Sequence, residues 1–217
     1  MVTAETRVLP ILPTRDVVVF PHSMTVFEVD QRLGLRAVEE ALANDRFILL
    51  TAHLDQHARE PQIGDLFSVG TIALVDRSTI QPDGKIKVLV EAVERGKIIS
   101  ATEEKGLWSG SVQTFHYPVE PGGSNEALIS TVLQLFARFI ELKQSLNRHA
   151  MLAAVRTDDP GKLADLIIPN MCLKPALERK QQLLEIFDPV ARLTRVAETL
   201  DAEIENLSIC KRTTISS

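Results

Sequence analysis

The chain has 217 residues, 45% hydrophobic and only 5% aromatic, with a formal net charge of −5. That is enough apolar material for one or two domains with aliphatic cores, and the acidic balance argues against a nucleic-acid binder, which neutralises phosphates with Lys and Arg. Two cysteines far apart, Cys172 and Cys210, neither in a C-x-x-C pair, fit a reducing compartment rather than a disulfide scaffold.

The opening MVTAETRVLP has no charged stretch leading into an apolar run, so neither a signal peptide nor a membrane helix is expected, and the default is a cytoplasmic protein. Residues 9–23, LPILPTRDVVVFPHS, are too short for a bilayer, which needs about 20 apolar residues, and too rich in proline for a helix. Pro10 and Pro13 suit an edge strand, Arg15-Asp16 a turn, and the β-branched run Val17 to Phe20 a strand buried on both faces. Asp30 is placed to cap a helix whose inner face carries Leu35, Val38 and Leu42, with Gly34 weakening its first turn. Phe47 to Leu50 is a second continuous apolar strand. Leu66 to Ile80 holds one bent strand or two, and Lys85 to Glu91 alternates. Between them, Gln81-Pro82-Asp83-Gly84 has the composition of a hairpin turn. Trp108 to His116 is a further strand.

After Tyr117 the period changes. The breaker cluster Pro118 to Asn125 marks a linker, giving a β domain over 1–117, a linker over 118–125 and a helical bundle over 126–217. Leu128, Val132, Leu135, Phe136, Phe139 and Leu142 share one helical face. A second helix starts near Pro160 with Asp159 as cap, a third covers Lys174 to Phe187, and a long last helix follows Asp188-Pro189. The last helix carries Val190, Leu193, Ala197, Leu200, Ile204 and Leu207 at heptad spacing. This is the stripe of a bundle helix, with a short intermolecular coiled coil as the alternative. The tail from Lys211 is expected to fray. Residues 1–118 hold 12 Lys and Arg against 16 Asp and Glu, and residues 119–217 hold 12 against 13, so neither half is a basic module.

Catalytic motifs are missing. Gly84-Lys85, Gly96-Lys97 and Gly161-Lys162 are not followed by Ser or Thr, so none closes a phosphate loop. There is no G-x-S-x-G and no H-E-x-x-H. His53 and His57, four apart, have the spacing of a zinc pair, but their setting before Pro61 favours a solvated loop. No cofactor and no metal are expected. Protein recognition without catalysis is the class that remains.

Leu12 to His22 resembles the opening of the N-terminal domain of Lon ATP-dependent proteases. So do Asp65 to Thr71, the Pro82-Asp83-Gly84 turn with Val88 to Glu91, Ala164-Asp165, and Lys180 to Glu185, all in the family's order. The likeness runs from about residue 8 to 207. It departs from the family's usual pattern at Val26, where the family has Pro, and at Asp30-Gln31, where it has Gly-Arg. The resemblance implies an α+β fold: a PUA-like, six-stranded β domain with one helix, then an α-helical bundle ending in a long helix. It also implies a substrate-recognition module for protein quality control that helps organise a ring, lacking the ATPase and peptidase parts.

A site for unfolded or degron-bearing proteins needs accessible apolar surface. The candidates are Met24, Val26 and Phe27, with Trp108 and Phe115 on a late strand. The competing reading, a free-standing PUA-like RNA-binding or regulatory protein, needs Arg15, Arg77, Lys85, Lys87, Arg95 and Lys97 to gather on one side of the sheet.

Overall fold

The computed structural model describes residues 2–29, 32–54, 62–82, 85–118, 125–143 and 148–215. The chain divides into two compact units, Met1–Tyr117 and Pro118–Ser217. No helix among the described residues is long and apolar enough to cross a membrane.

The first unit has six strands and one helix. In chain order these are β1 (Thr3–Thr14), β2 (Met24–Val29), α1 (Arg32–Ala43), β3 (Phe47–Ala52), β4 (Val69–Ile80), β5 (Ile86–Glu104) and β6 (Leu107–His116). They form one sheet in the order β2-β5-β4-β3-β1-β6, and β6 pairs back onto β5. Five strands therefore close a ring, which removes their free edges, and β2 lies outside it. Two strands serve two neighbours in succession. β1 pairs with β6 from Thr3 to Pro10 and with β3 from Ile11 to Thr14, so Pro10 sits at the switch. β5 carries β2 alongside Ile86 to Glu91 and β6 alongside Lys97 to Glu104.

The run Phe47 to Leu50 is continuous because both faces of β3 are buried. Leu49 packs with Leu9, Ile11, Ile72, Trp108 and Val112. Ile48 and Leu50 join a second cluster with Val38, Ala41, Val75, Val88 and Val90. β4 is one strand, bent at register shifts after Ile72 and Val75. It returns into β5 through the expected hairpin, with Gln81 N–H donating to Lys85 O at 2.8 Å. Asp83 and Gly84 lie outside the described residues.

Three expectations change here. Val17 to Phe20 is not a strand, and β1 before it is not an edge. Hydroxyl groups occupy the carbonyls a ladder would need: Thr14 Oγ1 donates to Val17 O, Thr71 Oγ1 to Val19 O and Ser23 Oγ to Phe20 O. Val19 and Phe20 are buried, yet Val17 is 44% exposed. On α1 the inner face is Gly34, Ala37, Val38 and Ala41, and Leu42 is 39% exposed. Gly34 is there for close approach: a Cβ would stand 2.6 Å from Val29 Cγ1. The cap assigned to Asp30 falls outside the described residues.

The second unit is helical: α2 (Glu126–Lys143), α3 (Arg148–Val155), α4 (Pro160–Ile167), α5 (Ala176–Leu184) and α6 (Pro189–Ile215). Val132, Phe136 and Phe139 of α2 are buried, as their spacing requires. Asp159 caps α4 through Lys162 N–H at 2.8 Å. Asp188 does the same for α6 through Ala191 N–H at 2.8 Å. The seam of α6 is used inside the unit, where Leu193, Val196, Leu200 and Ile204 are buried. Val190 at its start is exposed. The helix extends to Ile215, past Lys211. Asp165 and Arg192 form a buried ion pair at 3.2 Å. Arg192 also donates to the carbonyls of Ile186 and Phe187, tying the α5–α6 connection to α4.

Candidate functional site

Pro21-His22 sets where β2 starts. His22 has φ 64°, in the left-handed region. Its N–H donates to Ala92 O, and Ala92 N–H donates to Ser23 O, both at 2.8 Å. This is a bulge of the type that usually places glycine at its first position. From it β2 runs antiparallel to β5, with Met24 opposite Glu91, Val26 opposite Leu89 and Glu28 opposite Lys87.

Side chains alternate across a strand, and the sequence MTVFEV divides accordingly. Thr25, Phe27 and Val29 face inward, and Phe27 is half-buried against the cluster that holds Val29 and Val88. Met24 and Val26 face outward and are 61% and 59% exposed. Glu28 completes this outward row and pairs with Lys87 at 3.4 Å. On the neighbouring strand, half-buried Leu89 and exposed Glu91 share the face. The result is a small apolar patch of Met24, Val26 and Leu89 with charges at its margins. Leu89 and Glu91 were absent from the sequence-based candidates, although the alternation of Lys87, Leu89 and Glu91 was a signal that places them on one face.

The other two candidates are not brought to this patch. Trp108 is 2% exposed and packs in the core of the ring, so it offers no surface to a partner. A Trp on an alternating strand fills the inner face because no other side chain here buries as much area. Phe115 is half-buried on β6, opposite Ala4 of β1. A cavity of about 370 Å³ lies at the far end of β2. Leu12, Phe27 and Val29 line it, together with Arg15, Asp16 and Lys85.

Of the six cations that a phosphate track would use, Arg15 and Lys85 share the cavity just described. Arg95 is 8% exposed and Lys87 is engaged with Glu28. His53 is buried in a bridge to Leu66 rather than held in a solvated loop. His57 lies outside the described residues. Among the described residues no three His, Cys, Asp or Glu side chains group to hold a metal.

In the helical unit, burial lowers the Lys180 ammonium below its ordinary range. The Cys172 thiol group acts in the opposite sense, and Lys143 adds to the lowering.

Comparison with known proteins places these features. The family model of the ATP-dependent protease La (LON) substrate-binding domain matches residues 8–202. The Lon protease of Solibacter usitatus is 48% identical over 206 residues, covering 95% of this chain and 25% of that protein. The Lon protease of Escherichia coli is 33% identical over 204 residues, covering 94% and 26%. The chain thus spans about a quarter of the length of these relatives. The solved N-terminal domain of Mycobacterium avium complex Lon protease shares the fold with a TM-score of 0.71 at 21% identity, covering 90% of this chain and 98% of that one. That of Xanthomonas campestris gives a TM-score of 0.60 at 16% identity, covering 88% and 96%. From residue 8 to residue 202, and in both its sheet and its helices, the chain belongs to the Lon substrate-binding domain family.

Proposed function

We propose that this chain recognises protein substrates, unfolded or degron-bearing, for a Lon-type ATP-dependent protease, and that it breaks no bond itself. The observation that carries this reading is the outward row of β2. Met24 and Val26 stand in solvent on a strand whose alternate residues are core. Such residues lie outside the core of the unit, and a thioether beside an aliphatic side chain adapts to varied apolar segments. Half-buried Phe27 supports the row from below, and Phe115 offers a smaller contact on β6. Membership of the family supports the same reading, as does the acidic balance, which suits protein rather than RNA. Action in the cytoplasm and assembly into a larger oligomer belong to this proposal. Leu193, Leu200 and Ile204 of the α6 seam are buried within their own unit, and Val190 at its start stays exposed.

The test is binding of a reduced, alkylated, permanently unfolded protein, followed by fluorescence anisotropy. Met24→Asp and Val26→Asp, each with unchanged circular dichroism, are expected to weaken binding by roughly tenfold or more, as truncating an interface anchor does. Unchanged affinity in both variants would remove the patch from the site. RNA retention at low salt that vanishes as salt rises would favour the phosphate-binding alternative.

A further inference from the structure

We infer that substrate segments bind by adding a strand to the open edge of β2, rather than by resting on its apolar face. This rests on the recognition reading above and specifies its geometry. In an antiparallel pair the residues alternate between those that exchange hydrogen bonds with the partner and those that do not. The bulge at His22 and Ser23 fixes the phase. Thr25, Phe27 and Val29 bond to Val90, Val88 and Ile86. The N–H and C=O groups of Met24, Val26 and Glu28 therefore point away from β5. β2 has no second neighbour in the sheet, and these three residues make no further backbone hydrogen bond among the described residues.

An open edge is normally guarded by Lys, Pro, a bulge within the strand or an overlying element. Met24 to Val29 contains no Lys and no Pro, and its bulge lies before the strand begins. The other five strands have closed their ring, so this edge is the place where the fold leaves backbone groups to a newcomer. The edge and the patch coincide, since Met24 and Val26 supply both the outward peptide groups and the exposed side chains.

The occupant is an extended polypeptide segment, apolar and net basic. The unit that presents the edge holds 12 Lys and Arg against 16 Asp and Glu in residues 1–118. Glu91 lies opposite Met24 with its carboxylate exposed, whereas Glu28 is already paired with Lys87. Main-chain bonds provide sequence-tolerant affinity in this mode, and side chains on one face of the incoming strand meet Met24 and Val26. At the far end of β2 the 370 Å³ cavity, lined by Leu12, Phe27 and Val29 along with Arg15, Asp16 and Lys85, has room for one side chain of the incoming strand.

The experiment uses a labelled twelve-residue peptide of alternating valine and lysine, the same peptide N-methylated on alternate residues, and the unfolded protein of the previous test. Amide hydrogen exchange is followed by NMR on the 217-residue chain. At saturating peptide, exchange is expected to slow at Met24, Val26 and Glu28, whose outward N–H groups would gain a partner. The N-methylated peptide is expected to bind at least roughly tenfold more weakly, since it keeps the side chains and loses strand donors. Val26→Pro removes an outward N–H without touching the ladder to β5 and is expected to have a similar effect, whereas Val26→Thr keeps the N–H and most of the affinity. Binding that saturates with no protection in the row, or that ignores N-methylation, overturns strand addition and leaves the patch reading standing. No binding of either probe overturns both. Protection of the row without peptide, with sedimentation at the mass of a dimer, assigns the edge to a second copy of the chain and overturns the proposal.

Discussion

Gly34 sits in the first turn of α1, where its helix propensity alone suggests that alanine is an improvement of about 1 kcal/mol. The surroundings reverse the sign. A methyl group there meets Val29 Cγ1 at 2.6 Å and Leu12 Cδ1 at 3.0 Å, and a β-branched valine has little room to yield. Gly34→Ala is expected to destabilise the β unit by about 1–3 kcal/mol, the usual cost of overpacking, as read from urea midpoints. The buried Asp165–Arg192 pair gives a second residue-scale outcome. Asp165→Ala strands a buried guanidinium and is expected to cost about 3–5 kcal/mol, while replacing both partners by Leu and Met recovers most of it. A double-mutant cycle on thermal unfolding checks this. Lys180 supplies a pH dependence. Its folded pKa lies below the unfolded 10.5, chiefly through burial. Between the two values the unfolded chain binds more protons, so this group's contribution to stability rises with pH. Lys180→Met is expected to flatten the alkaline slope of the stability curve, measured by denaturant titration from neutral pH to about pH 10.5.

At the scale of elements, the extended segment Val17 to Phe20 depends on hydroxyls that replace a ladder. Thr71 Oγ1 reaches Val19 O at 2.6 Å in a fully buried setting. Thr71→Val keeps the shape and leaves that carbonyl unsatisfied, at an expected cost of about 1–3 kcal/mol, measurable by the same denaturant titration. This segment also shows what the sequence could not reveal. Four apolar β-branched or aromatic residues predict a strand, and the hydroxyls of Thr14, Ser23 and the distant Thr71 show why the carbonyls go elsewhere. The helices of the second unit were far more legible, because Asp159 and Asp188 cap their own helices through local contacts that sequence spacing encodes. Helix α3 was missed because RHAMLAAV is short, with little contrast between its faces. The candidate site was half legible. Met24, Val26 and Phe27 were grouped because they follow Pro-His, with no strand assigned there; the alternation of β2 turns Phe27 the other way, and which face is core depends on which strands close the ring. The same uncertainty put buried Trp108 among the surface candidates.

At the scale of the whole molecule, the division at Tyr117 and Pro118 separates two units that each hold a core of their own. Residues 1–118 produced alone are therefore expected to unfold in one cooperative transition, with near-ultraviolet circular dichroism from Trp108 intact. A molten spectrum would show that the β unit needs the helical one.

The length of β5 has a consequence for how the β unit comes apart. Since β5 meets β6 beyond the point where β2 ends, withdrawing β2 unzips one flank and leaves the cylinder sealed. The cheapest local excursion is thus a detached flap hinged at Pro21-His22, and amides of Thr25 and Phe27 should trade deuterium well before those of Ile11 and Leu49. Under the proposed strand addition, a flap that detaches without breaching the cylinder would release a bound segment while the rest of the β unit stays intact.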